Sequence, residues 1–377
     1  MKKWIWGVVI VIVLVVIIGI TIDKEKDTST IKIGFITFPT GPASVPGQMS
    51  VEAAKYAEKV INSSGGINGR KFEVLIGDYA YDAKRVIPTY EALKLQGVKL
   101  FLFEGSPAAG ILAPLTKKNN EFLMTGVTTL PSYSDGDPMT CRIGLTAANY
   151  GPAMTDYIFS KSDKPRVALA ITANDYGKGI ETETTKALLA KGGTVIGVEQ
   201  YDQSSGDYRT QVTKLKGMQD KIDYLILVHT GNTIGSLLKQ LKEIGFNKPI
   251  VTDAITASNA GIKDTTLLND WVVADYEYTT AIRETDSSKV KEFKLKYKSQ
   301  SGFEPTLSAA TTYDSVMIIA EALKDDAKTP KDVSDYLVKT IGSYDGIIGA
   351  ATFNSDCEVQ RPVVYRKFID GKLIDLK

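Results

Sequence analysis

Hydroxyl side chains and a glycine cluster directly after an apolar segment in the first half of the sequence. The apolar segment, residues 122–124, continues into the sequence TGVTT at residues 125–129. Threonine hydroxyls and backbone N–H groups at the end of a strand are suited to an anion such as a carboxylate. Val127, Thr128 and Thr129 are therefore candidate ligand contacts. The same threonines could instead only cap the following turn, and the sequence favours neither interpretation.

Two further segments carry side chains that could contact a ligand. Residues 104–110, with the sequence EGSPAAG, are mostly small and allow a close approach of the backbone. This loop could contribute to binding or serve packing alone. Tyr176 follows the apolar segment 167–171. Its ring could cover an apolar part of a ligand, or it could be an ordinary core or surface tyrosine.

The usual parts of catalytic and cofactor sites are missing from the sequence. His229 is the only histidine, so zinc sites and Ser-His or Cys-His catalysis lack their common components. The sequence GKG at residues 177–179 lacks the third glycine of a dinucleotide loop, and neither a phosphate-binding loop motif nor G-x-S-x-G is present. We therefore expect reversible binding rather than an enzyme, with no cofactor and no metal.

Charge and cysteine content narrow the class of protein further. The 45 basic and 44 acidic residues nearly cancel, and no long run of like charge is present, so we expect no nucleic-acid partner. Cys141 and Cys357 lie far apart in the sequence. This separation excludes a local metal-binding knuckle and leaves either two free thiols or one long-range disulfide.

The beginning of the sequence has the pattern of a membrane anchor. Residues 4–22 are apolar and uncharged, and they match the ~20 residues that a helix needs to cross hydrocarbon. The charged residues 23–27 follow without the small-residue site of a cleavable signal peptide. Lys2 and Lys3 favour a cytoplasmic start. We predict that residues 1–29 form a retained transmembrane helix and short linker; if the segment is cleaved, the protein is secreted.

Strand and helix patterns alternate through the rest of the sequence. Residues 31–35 and 72–76 alternate as in a strand, and apolar positions in residues 53–61 form one helix face. This order predicts a βαβ unit with parallel strands. Further strand-like runs lie at residues 100–103, 122–124, 167–171, 195–198, 224–228 and 250–252, with helices at 234–244 and 313–323 and a strand segment at 342–353. Two parallel sheets covered by helices are expected, with the turn-rich residues 132–150 crossing between them.

Residues 61–70, with the sequence INSSGGINGR, are the most specific motif in the chain. Other motifs lie before and after it, in chain order: Thr40-Gly41-Pro42, Asp78 with Asp82, Asp175-Tyr176-Gly177, Tyr313-Asp314 and Phe353-Asn354. This series resembles the periplasmic binding proteins of branched-chain amino-acid ABC transporters, the leucine/isoleucine/valine-binding class with the type I periplasmic-binding fold. The resemblance covers nearly the whole chain after the apolar segment.

The resemblance implies an α/β fold with two doubly wound parallel-sheet lobes, joined by three crossings and closing over a small ligand. Applied to this sequence, the first lobe comprises residues 30–147 plus 278–345. The second lobe comprises residues 148–277 plus 346–377. The transmembrane helix predicted for residues 1–29 would precede them.

The resemblance also implies positions for the ligand contacts. In the family, a threonine loop and a serine loop hold the ligand's α-carboxylate. Thr129 matches the threonine, with Thr128 and Val127 beside it. Ser106 lies close to the serine position, which aligns nearest to Pro107 or Ala108.

The other side of the implied site is matched less well. Tyr176 matches an aromatic residue that contacts the ligand, whereas a tyrosine of the family is replaced at about Thr230 or Gly231. The acid that binds the ligand's ammonium falls near Ile255, and Asp253 is the nearby substitute.

The implied function is an extracytoplasmic, membrane-tethered receptor of an ABC importer. It would bind an amino acid, branched-chain or similar, or a related small carboxylate. Its partners would be this ligand, the permease subunits and the membrane, and the protein would be a monomer. The alternative is an amide- or amino-acid-sensing receptor of the same fold without transport.

Overall fold

The computed structural model describes residues 29–128, 133, 134, 136–259 and 261–376, without the side chain of Val127. The anchor helix predicted within residues 1–28 and the candidate ligand residue Thr129 lie outside the described residues. Within those described ranges, no helix combines the length and apolar character that crossing a membrane requires.

The first sheet contains five parallel strands in the order β2-β1-β3-β4-β5. Its strands are β1 (Ile31–Thr37), β2 (Phe72–Asp78), β3 (Leu100–Glu104), β4 (Phe122–Val127) and β5 (Thr140–Arg142). The accompanying helices are α1 (Ser44–Ser63), α2 (Ala83–Lys94), α3 (Ser106–Asn119), α9 (Ser288–Ser301), α10 (Leu307–Lys324) and α11 (Pro330–Asp335).

Both faces of the first sheet are buried. Side chains alternate between the two faces along each strand, and the two sets enter different cores. In β1, Ile33 and Phe35 join the core formed with α1 and α10. The next residue, Ile36, joins the core formed with α2 and α3 on the opposite face. The nearly continuous apolar character of these strands is therefore the pattern expected of a sheet covered on two sides.

The second sheet contains seven strands in the order β15-β14-β10-β9-β8-β6-β7. Its strands are β6 (Arg166–Thr172), β7 (Thr194–Tyr201), β8 (Tyr224–Val228), β9 (Ile250–Asp253), β10 (Val272–Asp275), β14 (Val364–Ile369) and β15 (Lys372–Asp375). The accompanying helices are α4 (Ala147–Phe159), α5 (Asp175–Ala190), α6 (Arg209–Met218), α7 (Ile234–Glu243) and α8 (Ala254–Ala257). Strands β6 to β10 are parallel, whereas β14 and β15 add antiparallel pairs at one edge.

A small antiparallel sheet of β11 (Tyr344–Gly346), β12 (Gly349–Phe353) and β13 (Val359–Gln360) completes the fold. Asp314 of α10 accepts hydrogen bonds from the backbone N–H groups of Ile347 and Ile348, at 2.8 and 2.9 Å, and so fixes the β11–β12 turn. Gly346 is required beside it, because a Cβ there would lie 2.3 Å from Asp314 Oδ2.

The structure decides between the two alternatives for the cysteines. Cys141 and Cys357 form a disulfide, with their Cα atoms 4.7 Å apart. This bond links the end strand of the first sheet to the small sheet.

One predicted segment differs from the observed fold. Helix α4 already begins at Ala147, inside the turn-rich residues 132–150 predicted to cross between the sheets. Its early residues include Gly151 and Pro152, which hide the helical periodicity in the sequence. Thr146 and Asn149 start the helix through a reciprocal capping arrangement.

Candidate functional site

The carboxyl ends of both parallel sheets border one cleft, where ligands bind in open α/β folds. The cleft holds about 650 Å³ of empty space, part of it open to solvent. The side of the first sheet contributes Phe38, Ala43, Pro46, Met49, Tyr81, Glu104, Gly105, Ser106, Thr128, Thr306 and Ser308. The side of the second sheet contributes Tyr176, Thr230, Ile255, Ser258 and Asn259. The lining thus combines an apolar wall with many hydroxyl groups.

Ser106 and Thr128 bring two hydroxyls together in this cleft. Their Oγ and Oγ1 atoms lie 3.0 Å apart, and both residues are buried. Ser106 begins α3, so the positive end of that helix dipole is beside the pair. Gly105 makes this turn possible: its φ is +97°, and a Cβ there would lie 2.3 Å from the Tyr79 hydroxyl oxygen.

Arg142 holds the loop that carries Thr128. Its Nη1 donates to the carbonyl oxygen of Thr128 at 3.2 Å, and its Nε lies 2.9 Å from Oε2 of Glu358. The guanidinium also stacks over the ring of Tyr133, 5.0 Å from the ring centroid. The side chain of Arg142 is fully buried, so this contact anchors the end of β4 from within the protein.

Glu104 is the acidic side chain of the cleft. It is only 2% exposed. Its Oε2 accepts a hydrogen bond from the Thr37 hydroxyl at 3.0 Å, whereas Oε1 has no hydrogen-bond partner among the described residues. Burial raises the pKa of this carboxyl to about 7, and the hydroxyls of Ser50, Thr37 and Ser308 oppose the rise. No lysine, arginine or histidine occurs among the described lining residues.

Tyr81 reaches across the cleft from the loop after β2. Ala80 and Tyr81 have φ values of +53° and +61°, a left-handed conformation that is uncommon for residues other than glycine. The ring packs edge-on against Phe38, with centroids 4.7 Å apart. Burial and the carboxylates of Glu104 and Asp175 raise the pKa of its hydroxyl, while Thr230 opposes this. These influences come from both sides of the cleft.

Tyr176 lines the opposite wall at the start of α5 and is tied to a buried acid. Its hydroxyl donates to Oδ2 of Asp253 at 2.6 Å and lies 3.2 Å from the Thr256 hydroxyl. Burial, followed by the charge of Asp253, raises the pKa of Tyr176. The ring is therefore fixed in place against the cleft.

Asp253 is fully buried and does not belong to the cleft lining. Its Oδ1 accepts the backbone N–H of Thr256 at 2.9 Å and so caps the short helix α8. Burial raises the pKa of Asp253, and these hydrogen bonds oppose the rise. The residue of this segment that does line the cleft is Ile255.

Thr230 lies in a loop held by polar side chains. Its hydroxyl bonds to Gln203 Oε1, which also accepts from Asn174 Nδ2 at 2.9 Å. The adjacent His229 is fully buried, accepts the Gly231 N–H on Nδ1 at 2.9 Å and lies 3.1 Å from the Tyr208 hydroxyl through Nε2. Burial lowers the pKa of His229 to about 3. The imidazole is a neutral structural group here.

The structure brings four predicted site residues to the cleft, namely Ser106, Thr128, Tyr176 and Thr230. Ala108 is instead a buried residue of α3 that packs into the core. Sequence reasoning passed over Glu104 as a ligand contact, although an acid that directly follows the apolar residues 100–103 is a visible signal. It also passed over Tyr81, for which the sequence carries no comparable signal.

Among the described residues, no group of three or more His, Cys, Asp or Glu side chains is arranged to hold a metal ion. The polar groups of the cleft are hydroxyls, one amide and one carboxyl. This donor set suits an organic solute with both acceptor and donor groups.

A sequence profile described as "Periplasmic binding protein" matches residues 30–371. The chain belongs to this family. As a periplasmic binding protein, it belongs to a class of solute-binding proteins that work outside the cytoplasm. The resemblance expected from the motifs is therefore confirmed. Among curated relatives, "Leu/Ile/Val-binding protein homolog 1" of Brucella abortus (strain 2308) is 25% identical over 344 residues, 88% of this chain and 90% of the relative.

Solved structures support the same fold for this periplasmic binding protein. The branched-chain amino acid transporter substrate binding protein LivJ from Streptococcus pneumoniae, in complex with isoleucine, is 24% identical with a TM-score of 0.78, covering 91% of this chain and 97% of that one. A solute binding protein of an ABC transporter from R. palustris, in complex with benzoate, is 12% identical with a TM-score of 0.79, covering 92% and 95%. The expected type I α/β fold with parallel sheets is confirmed.

Proposed function

We propose that the protein is the extracytoplasmic receptor of an ABC importer and holds an amino acid, branched-chain or similar, or a related small carboxylate in its cleft. The observation that carries this proposal is the pair of buried hydroxyls of Ser106 and Thr128, 3.0 Å apart at the positive end of α3. A carboxylate placed there gains hydrogen bonds and a favourable helix dipole. The ligands named for the relatives are amino acids and an aromatic acid.

The remaining lining fits the rest of such a ligand. Thr128 would act together with Val127 and Thr129, its neighbours in the sequence. Tyr176 and Thr230 would close the ligand in from the other side. The apolar wall that includes Met49 and Ile255 would receive a hydrocarbon side chain. Asp253, which binds Tyr176, would influence the ligand only through that ring unless the cleft rearranges.

Closure of two lobes over the ligand is part of the proposal. The lobes would comprise residues 30–147 plus 278–345 and residues 148–277 plus 346–377. Cleft residues come from both sheets, so a ligand that contacts both would favour the closed state by its differential affinity. A permease would recognise that closed shape. We propose that the protein acts as a monomer, tethered through residues 1–29.

Calorimetric titration tests the proposal directly. Leucine, isoleucine, valine, alanine, benzoate and 4-methylpentanoate, the deaminated analogue of leucine, form the panel. Thr128→Val should weaken binding of every ligand by roughly ten- to hundredfold, since it removes a hydrogen bond to a charged group. Thr116→Val is the matched control: this buried hydroxyl lies in α3 away from the cleft and bonds to the Leu112 carbonyl.

Two results would contradict the proposed function. Wild-type protein that binds no member of the panel would exclude a receptor for these small carboxylates. Equal affinities of the Thr128→Val and Thr116→Val variants would remove the hydroxyl pair from the site. Permease and ATPase genes beside this gene would support transport, whereas kinase or amidase genes would point to the sensor.

A further inference from the structure

The carboxyl group of Glu104 has unused hydrogen-bonding capacity inside the cleft. Glu104 ends strand β3 and lines the cleft, yet is only 2% exposed. Thr37 donates to Oε2, while Oε1 lacks a hydrogen-bond partner among the described residues. Burying an acceptor without a partner is unfavourable. A residue of this kind in a binding cleft is explained when the partner arrives with the ligand.

The surroundings of Glu104 indicate which group that partner is. The described lining residues include no lysine, arginine or histidine that could neutralise the carboxylate. No metal-binding cluster is present in the described part of the chain. The hydroxyls of Ser50 and Ser308 favour the charged form of this carboxyl as neutral donors, but they bring no positive charge. A cationic N–H donor would supply both the hydrogen bond and the missing positive charge.

Asp253, the other buried acid near the cleft, already accepts a hydrogen bond on each of its carboxylate oxygens. Asp253 receives the Tyr176 hydroxyl on Oδ2 and the Thr256 N–H on Oδ1. Ile255, not an acid, faces the ligand space from that segment. The acceptor available to the ammonium group of a ligand is therefore Glu104, on the side of the first sheet.

We propose, on the premise that the cleft binds a small carboxylate-bearing solute, that Glu104 binds the ammonium group of that ligand. Glu104 is separated by a single residue from Ser106, whose hydroxyl belongs to the carboxylate site. Both residues line the same cleft, as an α-amino acid requires, because its ammonium and carboxylate are attached to the same carbon. The cleft thus selects amino acids through an acid at the end of β3.

The test compares amino acids with their deaminated analogues in the Glu104→Gln variant. Leucine should bind roughly ten- to hundredfold more weakly than to wild type, because a charged hydrogen bond is lost. 4-Methylpentanoate, which has no ammonium, should bind with unchanged or higher affinity. The ratio of the two affinities within one variant is the readout, so a change in the folded fraction cancels.

Two further variants test whether the selective loss of leucine is specific to Glu104 among the buried acids. Glu121→Gln is the matched control, because Glu121 is buried, accepts the Tyr90 hydroxyl and lies away from the cleft; its affinity ratio should equal that of wild type. Asp253→Asn should affect leucine and 4-methylpentanoate alike. A selective loss of leucine in Asp253→Asn, with none in Glu104→Gln, would assign the ammonium to Asp253 and overturn the proposal.

The outcome also distinguishes this inference from the proposed function. A wild-type protein that binds 4-methylpentanoate or benzoate but no amino acid would overturn the role of Glu104 and leave a carboxylate receptor in place. Equal losses of leucine and 4-methylpentanoate in Glu104→Gln would do the same. Wild-type protein that binds nothing in the panel would contradict the proposed function, and the role of Glu104 with it.

Discussion

The hydroxyl of Tyr176 donates a 2.6 Å hydrogen bond to Oδ2 of Asp253, a residue 77 positions further along the chain. The bond joins the start of α5 to the end of β9, on the wall of the cleft opposite Glu104. Because Asp253 is fully buried, loss of the Tyr176 hydroxyl would leave its Oδ2 without this donor, which is unfavourable. The contact therefore couples the orientation of a ligand-facing ring to the stability of the second sheet.

Tyr176→Phe should lower the free energy of unfolding by about 1–3 kcal/mol, the penalty for a buried acceptor that loses its donor. The ring still covers the cleft, so affinity for the ligand should fall far less than in Tyr176→Ala. Urea unfolding of Tyr176→Phe, Asp253→Asn and the double variant measures the coupling. Effects that add within ~0.5 kcal/mol would show that the two side chains act independently.

Replacing Glu104 by glutamine should stabilise the ligand-free protein at high pH. The pKa of Glu104 is raised from 4.5 to about 7 by burial, so the folded protein bears the cost of an ionised buried carboxyl above pH 7. That cost is absent below about pH 4.5, where the group is protonated in both the folded and the unfolded state. The shift corresponds to roughly 3 kcal/mol.

The free energies of unfolding of wild type and Glu104→Gln, measured across this pH range, test whether the variant is the more stable protein at high pH. The advantage of the variant should grow as the pH rises from 4.5 to 7 and then level off. His229, whose pKa is lowered to about 3, titrates in both proteins and cancels in the difference. A variant that is less stable than wild type at pH 8 would contradict the expectation.

Ionisation of Glu104 should favour binding of an amino acid, although it disfavours folding, because the ammonium of the ligand binds the carboxylate form. Affinity for leucine should fall as the pH drops below about 7, by up to ~10-fold per unit. Thr37, Ser50 and Ser308 face this carboxyl as hydroxyls only. Its titratable neighbours are tyrosines with raised pKa values: Tyr79, Tyr81 and Tyr297.

Titration of leucine at pH 5, 6, 7 and 8 measures this dependence, with Glu104→Gln as the control. The variant should bind leucine weakly and with little change across the range. Affinity of the wild type that rises on acidification would instead indicate a protonated Glu104 that donates a hydrogen bond to an acceptor on the ligand.

Much of the fold could be predicted from the sequence because its signals are local. The alternation in residues 31–35 corresponds to β1, and the apolar face of residues 234–244 corresponds to α7, whose Ile234, Leu237 and Leu241 are buried. The motif at residues 61–70 indicates the family that the profile match over residues 30–371 confirms. Each of these signals lies within one short segment of sequence and does not depend on contacts between distant residues.

The chemistry of the cleft was less predictable because it depends on distant residues. Glu104 is held by Thr37, 67 positions away, and Asp253 is engaged by Tyr176. From sequence, Asp253 resembled a ligand-facing acid near a strand end, whereas its carboxylate caps α8. The free hydrogen-bonding capacity of the two acids differs only because of these long-range contacts. Local patterns therefore located the cleft but not the acid with a free oxygen.

The disulfide between Cys141 and Cys357 should contribute to stability rather than to binding. It closes a loop of 216 positions, and cross-links of long loops stabilise by about 2–5 kcal/mol. Replacing both cysteines by alanine should lower the free energy of unfolding by that amount and leave the affinity for the ligand within about twofold. Addition of a reductant should destabilise wild type and have no effect on the double variant. Equal responses of the two proteins to the reductant would contradict this.

Arg142 lies next to Cys141 but should affect both stability and binding. Its guanidinium bonds to the Thr128 carbonyl at 3.2 Å and to Glu358. Arg142→Gln should destabilise the protein by roughly 3 kcal/mol, the lower end for a broken buried pair, because the Glu358 side chain is 20% exposed. The loop bearing Thr128 loses an anchor, so affinity for the ligand should also fall.

The variant lacking both cysteines is the matched control for Arg142→Gln, since both changes weaken the connection between β5 and the small sheet. Titration at a temperature where each variant is fully folded separates stability from binding. We expect a loss of roughly tenfold in affinity for Arg142→Gln, equivalent to about 1.4 kcal/mol, and little loss for the cysteine variant. Equal affinities in the two variants would show that Arg142 supports the fold without positioning the Thr128 loop.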